Sequence, residues 1–435
     1  MREILERLID DFQERRLPDG VQREARAPEL AGKANAVVGM RRAGKTWFCF
    51  QRMRELLDTG IVKQCLLYVN FEDERLLPFS SADFQEILDA YYRKFPGLAE
   101  QPNYLFLDEV QRIEGWERFV RRVLDSEPLH VWVTGSSSKL LSTEIATSLR
   151  GRSLTTEIFP YSFGEFLRAH GEDGDATHFG SKRRATLQHW AAQYLQRGGF
   201  PEVQAVERDT ALQVLRSYVD VVILRDVIER HRVSNTVALR ALIRHVMSAP
   251  AARFSVYKFY NTLKSQGVTC TKNDLYAFLD HLGDAFLVYS APIHSRSQRV
   301  RQVNPRKIYA VDTGLLQAMS LPLTEDRGAH LENLVYLHLR RQGLHPEYYV
   351  THTGAEIDFV WRSDPKSPAQ LVQVCWSLKD PRVRTRELGA LREAMRELRV
   401  KRGVVVSWLD EVASDDGIEV VPAWRWLLSG RAALE

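Results

Sequence analysis

The opening segment, MREILERLIDDFQERRL, sets apolar residues at helical spacing between acids and bases. That pattern predicts an amphipathic helix and not a signal peptide, which needs an unbroken apolar stretch. A polar, Pro-containing stretch follows to about Gly32. Short apolar runs then alternate with amphipathic ones. KANAVVG reads as a strand, TWFCFQRMRELLDTG as a helix closed by Gly60, and QCLLYVNFED as a strand. SADFQEILDAYYRKF reads as a helix capped by Ser81, NYLFLDEV as a strand, GWERFVRRVLD as a helix and LHVWVTGS as a strand. Strands alternating with helices predict a parallel sheet covered on both faces.

Beyond Pro160 the pattern changes. Residues 161–235 carry helical signals and no clear strand. Residues 236–324 hold helices, an apolar strand (AFLVYSAPI), a basic stretch and another strand (KIYAV). Residues 325–435 return to mixed signals: a helix (LENLVYLHLRRQG), strands (EYYVT, EIDFVW, AQLVQVCW), a helix (RELGALREAMREL) and a strand (RGVVVSW). RSDPKSP between two of these strands reads as an exposed turn. The chain therefore divides into a helix and linker (1–33), an α/β core (34–160), a helical segment (161–235), a helix-and-strand segment (236–324) and a second, smaller α/β unit (325–435).

Composition narrows the class. At 435 residues, with 44% hydrophobic and 27% charged residues, the chain supports several cores and is not disordered. A net charge of +4 does not announce a nucleic-acid binder, so that reading needs a local basic patch. The four cysteines, Cys49, Cys65, Cys270 and Cys375, form no C-x-x-C pair. They suggest neither a zinc site nor a disulfide framework and fit a reducing cytoplasm. No apolar run approaches a membrane span.

The candidate chemistry begins at Gly39-Met40-Arg41-Arg42-Ala43-Gly44-Lys45-Thr46, a complete G-x-x-x-x-G-K-[ST] between a strand and a helix that continues through Trp47. Glycines let backbone N–H groups face phosphate oxygens, and the helix N-terminus adds its dipole. Lys45 neutralises the β- and γ-phosphates and the Thr46 hydroxyl ligates Mg²⁺. Asp108 and Glu109 end the apolar strand YLFLDE, at the end of a sheet where ligands bind in open α/β folds. There Asp108 is expected to hold Mg²⁺ through water and Glu109 to polarise the attacking water. At the tip of the next strand, Ser136 or Thr134 is placed to touch the γ-phosphate or orient water; either is equally a helix N-cap. Arg150 and Arg152, before the fifth strand (SLTTEIF), are candidates for an arginine finger reaching a neighbouring subunit. Cations and Gly151 at a helix C-terminus fit simple capping as well.

The order P-loop, Asp-Glu strand, polar strand tip, arginine before strand five and helical lid resembles the AAA+ ATPases. VVGMRRAGKT, LYVNFEDERL, FLDEVQRIEGWE, TGSSSKLLS, LRGRS, FPYSFGEFL and GGFPEV are similar to one prokaryotic group of them. The resemblance implies an α/β P-loop core with a helical lid, a winged helix and a C-terminal α/β domain of restriction-endonuclease type. It implies ATP and Mg²⁺ as ligands. Within GGFPEV, Pro201 corresponds to a proline that packs near adenine in related lids, with Arg197 beside it; Gly198-Gly199 is equally a plain helix–helix turn.

In 236–324 the turn KSQGVTC precedes a helix beginning at Lys272 and Asn273, which fits a helix-turn-helix. Arg296, Arg299, Arg301, Arg306 and Lys307 follow with no intervening acid. Such a run suits DNA phosphates, and also suits a solvated loop or a protein-docking wing. Active nucleases of the resembled C-terminal type need an Asp on one strand and Glu-x-Lys on the next. Here Glu332 and Asp358 are present, but Gln373 and Cys375 stand at the Glu and Lys places, with Glu356 and Lys379 off register. Gln brings no charge to a hard cation, so cutting is not expected.

The sequence thus predicts a Mg²⁺-dependent ATPase, a homo-oligomer such as a hexamer, that couples turnover to DNA binding or remodelling. Two alternatives stay open: an ATP-gated regulatory switch using its winged helix and tail for protein contacts, and an ATP-gated nuclease.

Overall fold

Four apolar runs and one largely polar edge run of the N-terminal part form one parallel sheet. The computed structural model describes residues 1–136, 149, 151–173, 180–319, 326–364 and 367–430. The strands are β1 (Ala34–Val38), β2 (Leu66–Asn70), β3 (Asn103–Asp108), β4 (Leu129–Gly135) and β5 (Ser153–Glu157). Their order is β2-β3-β4-β1-β5, and every pair is parallel. Every residue of β1 and β3 is buried, as strands covered on both faces require. The connecting helices are α2 (Lys45–Asp58), α3 (Phe84–Lys94) and α4 (Trp116–Ser126).

The opening helix, α1 (Arg2–Glu14), buries Leu5, Ile9 and Phe12 at i, i+4 and i+7. It packs on α3 and β2, so it is part of this unit's core. Phe12 joins a cluster with Val37, Phe48, Met53, Phe106 and Trp132, in which Phe106 stacks on Trp132 at 5.7 Å. Helix α3 starts at Phe84 with Asp83 at its N-cap, later than the Ser81 cap the sequence suggested. The reason is a preceding turn, in which the Ser80 N–H and hydroxyl both donate to the Asp83 carboxylate.

The chain divides into two units, Met1–Phe159 with Asp284–Phe286, and Pro160–Gly283 with Leu287–Glu435. The second begins with helices α5 (Phe163–Ala169), α6 (Ser181–Arg197) and α7 (Arg208–Val221), the last continued by a π-helical stretch, Val222–Glu229. A capping box between Ser162 and Glu165 starts α5. No strand occurs among the described residues of 161–235, as the sequence pattern implied.

Next come α8 (Thr236–Ser248), β6 (Arg253–Phe254), α9 (Val256–Ser265), α10 (Lys272–Asp284), β7 (Val288–Ala291), α11 (Gln298–Val303), β8 (Arg306–Ala310) and α12 (Thr313–Met319). Their strands form a three-stranded antiparallel sheet, β6-β8-β7. The remainder comprises α13 (Arg327–Arg341), β9 (Glu347–Val350), β10 (Glu356–Trp361), β11 (Gln370–Cys375), α14 (Pro381–Leu398), β12 (Gly403–Ser407), β13 (Val412–Asp415), β14 (Ile418–Pro422) and α15 (Ala423–Trp426).

This last sheet has six strands, ordered β13-β14-β12-β11-β10-β9, with α13 and α14 packed against β11. Ile357, Val360, Leu371, Leu391, Val405 and Ile418 form its core. The sequence reading missed β13 and β14. Asp416 (φ 50°) and Gly417 (φ 77°) turn between them, and an Asp-Gly pair with two positive φ values is the hairpin signal that would have found both.

Candidate nucleotide site

The P-loop lies where β1 ends and α2 begins. Gly39 adopts a φ of 143°, and a Cβ there would stand 2.2 Å from the Ile158 carbonyl oxygen. That carbonyl belongs to the chain leaving β5, whose Ile158 N–H donates to Val38 O at 2.7 Å. No side chain fits at this position. Arg42 (φ 66°) and Gly44 (φ 102°) complete the left-handed turns of the loop. Met40 and Ala43 are buried beneath it, and the Ala43 N–H donates to Met40 O at 3.2 Å. Arg41 pairs with Glu72 at 3.5 Å. Trp47, one residue past Thr46, is half-exposed at 47% and meets Phe50 edge-on.

The sheet order sets the acidic partner. Strand β4 lies between the P-loop strand β1 and the strand β3 that ends at Asp108. Its residue Thr134 therefore stands between loop and acids. The Thr134 hydroxyl donates to Asp108 Oδ1 and accepts the Glu109 N–H at 2.9 Å. Thr46 Oγ1 donates to Asp108 Oδ2 at 2.9 Å, and Tyr68 OH to the same oxygen at 2.8 Å. Asp108 is thus buried with three hydroxyls around it. Burial pushes its carboxyl up from the ordinary value, while those hydroxyls act against the rise.

Glu109 has a φ of 53°, which turns its side chain back towards Lys45. Their charged groups lie 3.7 Å apart, both buried. Lys45 also donates to Met40 O at 3.3 Å, and Gln111 Nε2 to Glu109 Oε2 at 2.5 Å. Burial opposes the charge on Glu109, but Lys45, Gln111, Arg41 and Arg112 outweigh it and hold its carboxyl below the usual range. Glu109 is therefore an anion at neutral pH.

The structure brings Lys45, Thr46, Asp108, Glu109 and Thr134 together. Ser136, also buried, lies just past the end of β4. Of these two polar candidates, Thr134 contacts Asp108 directly. Arg152 is half-exposed and paired with Asp125, just before the edge strand β5. Arg150 lies outside the described residues.

Two contributors were not found from sequence. Tyr68 reads as one more apolar residue of β2, and only the register pairing Tyr68 with Phe106 and Asn70 with Asp108 places its hydroxyl. Arg23 is buried, donates from Nη1 to Ala43 O at 2.9 Å and bonds Phe159 O through Nη2. Its own N–H goes to Gln51 Oε1 at 2.7 Å. It braces the underside of the P-loop from a stretch whose polar sequence gives no sign of this.

Tyr68 has a testable weight. Burial, with Asp108 alongside, holds its phenol well above the ordinary value, so it stays a donor. Tyr68→Phe is expected to lower ATP turnover about 3–10-fold while stability changes by only ~1 kcal/mol. Steady-state kinetics with a thermal melt check this, and unchanged turnover would show the hydroxyl to be idle.

In the second unit the remaining candidates separate. Lys272, Asn273, Arg296, Arg299 and Arg306 are exposed. Arg301 is tied to Glu347 at 2.5 Å. Lys307 is buried and corrects the sequence reading, because its ammonium bonds Glu332, Glu356 and Asp358 and cannot also contact DNA. Gly199 donates to buried Asp312, and Arg197 Nη1 is held by the Val203 and Gln204 carbonyls. The Gly198-Gly199 segment therefore forms a structural turn, with Pro201 opening the short helix Pro201–Val203.

A P-loop at the head of a parallel sheet ordered β2-β3-β4-β1-β5, with an Asp-Glu pair two strands away, defines the AAA+ class of P-loop folds. A family model described as "AAA domain" matches residues 31–167. Models of two domains of unknown function match 188–327 and 327–426. The chain belongs to one family with an uncharacterized protein of Methanocaldococcus jannaschii, 31% identical over 97% of this chain and 94% of that protein. An uncharacterized protein of Haemophilus influenzae is 28% identical over 90% and 93% of the two chains.

Among solved structures, the ORC1 protein of Aeropyrum pernix, determined in complex with DNA, shares 16% identity over 66% of this chain and 86% of its own, with a TM-score of 0.28. Cdc6p of Pyrobaculum aerophilum shares 11% identity over 73% and 91%, with a TM-score of 0.25. Both likenesses are too distant to argue from. No helix among the described residues is long and apolar enough to cross a membrane.

Proposed function

We propose that the protein binds ATP with Mg²⁺, hydrolyses it, and as a homo-oligomer couples turnover to DNA binding. The observation that carries this reading is the Asp108 carboxylate, bonded to Thr46, beside the buried Lys45–Glu109 pair. Thr46 and Asp108 are the residues that would hold Mg²⁺, which when bound offsets charge on the β- and γ-phosphates. Lys45 leaves Glu109 for the triphosphate. Glu109, freed of its ammonium partner, then orients the attacking water and takes its proton. Thr134 fixes both acids from the intervening strand. Arg152, at the edge strand, is the finger candidate for a neighbouring subunit.

The DNA reading draws on residues 236–310. Their order of helix, strand, two helices, strand, short helix and strand, around an antiparallel three-stranded sheet, supports the winged-helix reading, with α11 in the place of the wing. Lys272 and Asn273 start α10, with the Lys272 ammonium 4.7 Å from the Tyr257 ring centroid. Arg296, Arg299 and Arg306 supply exposed positive charge near the wing.

The test is ATP turnover with and without duplex DNA across a salt series, alongside mass determination with nucleotide. Replacing Arg296, Arg299 and Arg306 together with Ala is expected to weaken duplex binding about 10-fold or more and to flatten the log K against log salt slope by up to roughly 3. Wild-type affinity and slope in that variant would remove this face from the interface.

A further inference from the structure

Three carboxylates of the second unit converge on one ammonium. Lys307 Nζ lies 2.7 Å from Glu332 Oε1, 2.6 Å from Glu356 Oε1 and 2.8 Å from Asp358 Oδ1. An ammonium has three donors, and each carboxylate takes one. Each carboxylate is also oriented by a second donor. Tyr309 OH bonds Glu332 Oε1 at 2.8 Å, Arg253 Nε bonds Glu356 Oε2 at 2.7 Å, and the Val374 N–H bonds Asp358 Oδ2 at 2.9 Å.

The carboxylates come from α13 and β10, whereas Lys307 and Tyr309 come from β8. Arg253 comes from β6, where it is the register partner of Lys307. Hard divalent cations are held by converging carboxylate oxygens, and here an ammonium already fills the centre of three carboxylates. Gln373 faces elsewhere: its Oε1 accepts the Asp358 N–H at 3.3 Å and its Nε2 donates to Glu387 at 2.7 Å.

We propose that the Lys307 ammonium is an internal plug, held by β8 in the position a divalent cation would take among Glu332, Glu356 and Asp358, so that this centre is closed to metal until the plug is removed. The three-stranded sheet thereby keeps the six-stranded domain silent. Gln373 does not fill this centre, since its amide is spent on the Asp358 N–H and Glu387. Burial works against the charge on Lys307, but the three carboxylates outweigh it and hold the ammonium well above the ordinary lysine range. This inference is independent of the ATPase reading.

The experiment uses the full chain without nucleotide and Mn²⁺ as the probe. Wild type, Asp358→Asn, Lys307→Ala and Lys307→Ala/Asp358→Asn are melted with and without about 1 mM Mn²⁺. Lys307→Ala is expected to gain about 5 °C or more in Tm on adding Mn²⁺, the effect of a ligand near 100 times its Kd. The wild type and the double variant are expected to gain nothing that depends on Asp358. Lys307→Ala/Glu356→Gln, which removes a negative charge along with the ammonium, decides the matter if Lys307→Ala does not fold. The proposal is overturned if neither variant is stabilised by Mn²⁺, or if the wild type is stabilised equally and through Asp358. Metal-dependent cleavage of DNA by the wild type that Lys307→Ala abolishes would also overturn it, since Lys307 would then be a working catalytic lysine.

Discussion

Glu109→Gln is expected to bind ATP with a Kd within about threefold of wild type and to hydrolyse it about 10²–10⁴-fold more slowly, the usual contribution of a positioned general base. Glutamine keeps the shape of the side chain and its bond with Gln111, but it cannot accept the proton of water. It also removes the anion that Lys45 faces at 3.7 Å in this structure, so binding is expected to hold or tighten slightly. Lys45→Ala is the control with the opposite profile: binding itself is lost, because the phosphates lose their ammonium. Because Lys45 and its neighbours hold the Glu109 carboxyl below its ordinary 4.5 in the nucleotide-free chain, kcat/KM, which reports the free enzyme, should show no acid limb from this group above that pH. Single-turnover hydrolysis beside equilibrium nucleotide binding separates the two variants. Turnover within fivefold of wild type in Glu109→Gln would take the catalytic role from this residue.

The parts of this site that the sequence revealed are those written contiguously. The P-loop occupies eight successive positions from Gly39 to Thr46, and Asp108-Glu109 ends a continuous apolar run. Neither depends on knowing which strands are neighbours. Tyr68 and Arg23 do depend on it, since one reaches Asp108 through the β2–β3 register and the other reaches Ala43 from a loop.

Lys307 was misread for a related reason. Inside a basic run it looked like one more phosphate contact, but β8 is a strand and alternates faces. Arg306 faces solvent while Lys307, with Tyr309 two residues on, turns to Glu332. A period-two reading of RKIYA would have separated the two cations. The six-stranded sheet was underestimated because its last hairpin is short, with its signal in the single pair Asp416-Gly417.

The segment Gly198-Gly199-Phe200-Pro201 forms the turn that the sequence left open as one of two readings, and the residue that holds it, Asp312, lies more than a hundred positions further along the chain. Asp312 is buried and accepts three backbone N–H groups: Gly199 at 2.7 Å, Gly314 at 2.8 Å and Leu315 at 3.3 Å. A Cβ on Gly198 would come within 2.0 Å of the Asp312 carboxylate, and one on Gly199 within 2.3 Å of the Tyr161 carbonyl oxygen, so neither position admits a side chain in this turn.

Asp312→Ala is expected to destabilise this unit by about 3 kcal/mol at pH 7, because it strands three donors that each cost roughly 1–3 kcal/mol unpaired, offset by relief of a buried charge. The offset fixes the pH dependence. Burial raises the Asp312 carboxyl from its ordinary 3.8 to about 6, against the pull of Gly199, Arg341, Gly314 and Leu315. Between those two values the folded chain holds a proton that the unfolded chain has released. The stability Asp312 contributes therefore falls as pH rises from about 4 to about 6 and is level above that. The difference between wild type and Asp312→Ala should accordingly be larger at pH 4.5 than at pH 7, which denaturant melts at both values measure. A difference that grows with pH would mean that Asp312 is charged throughout, and a difference near zero would mean that the turn is held by its glycines alone.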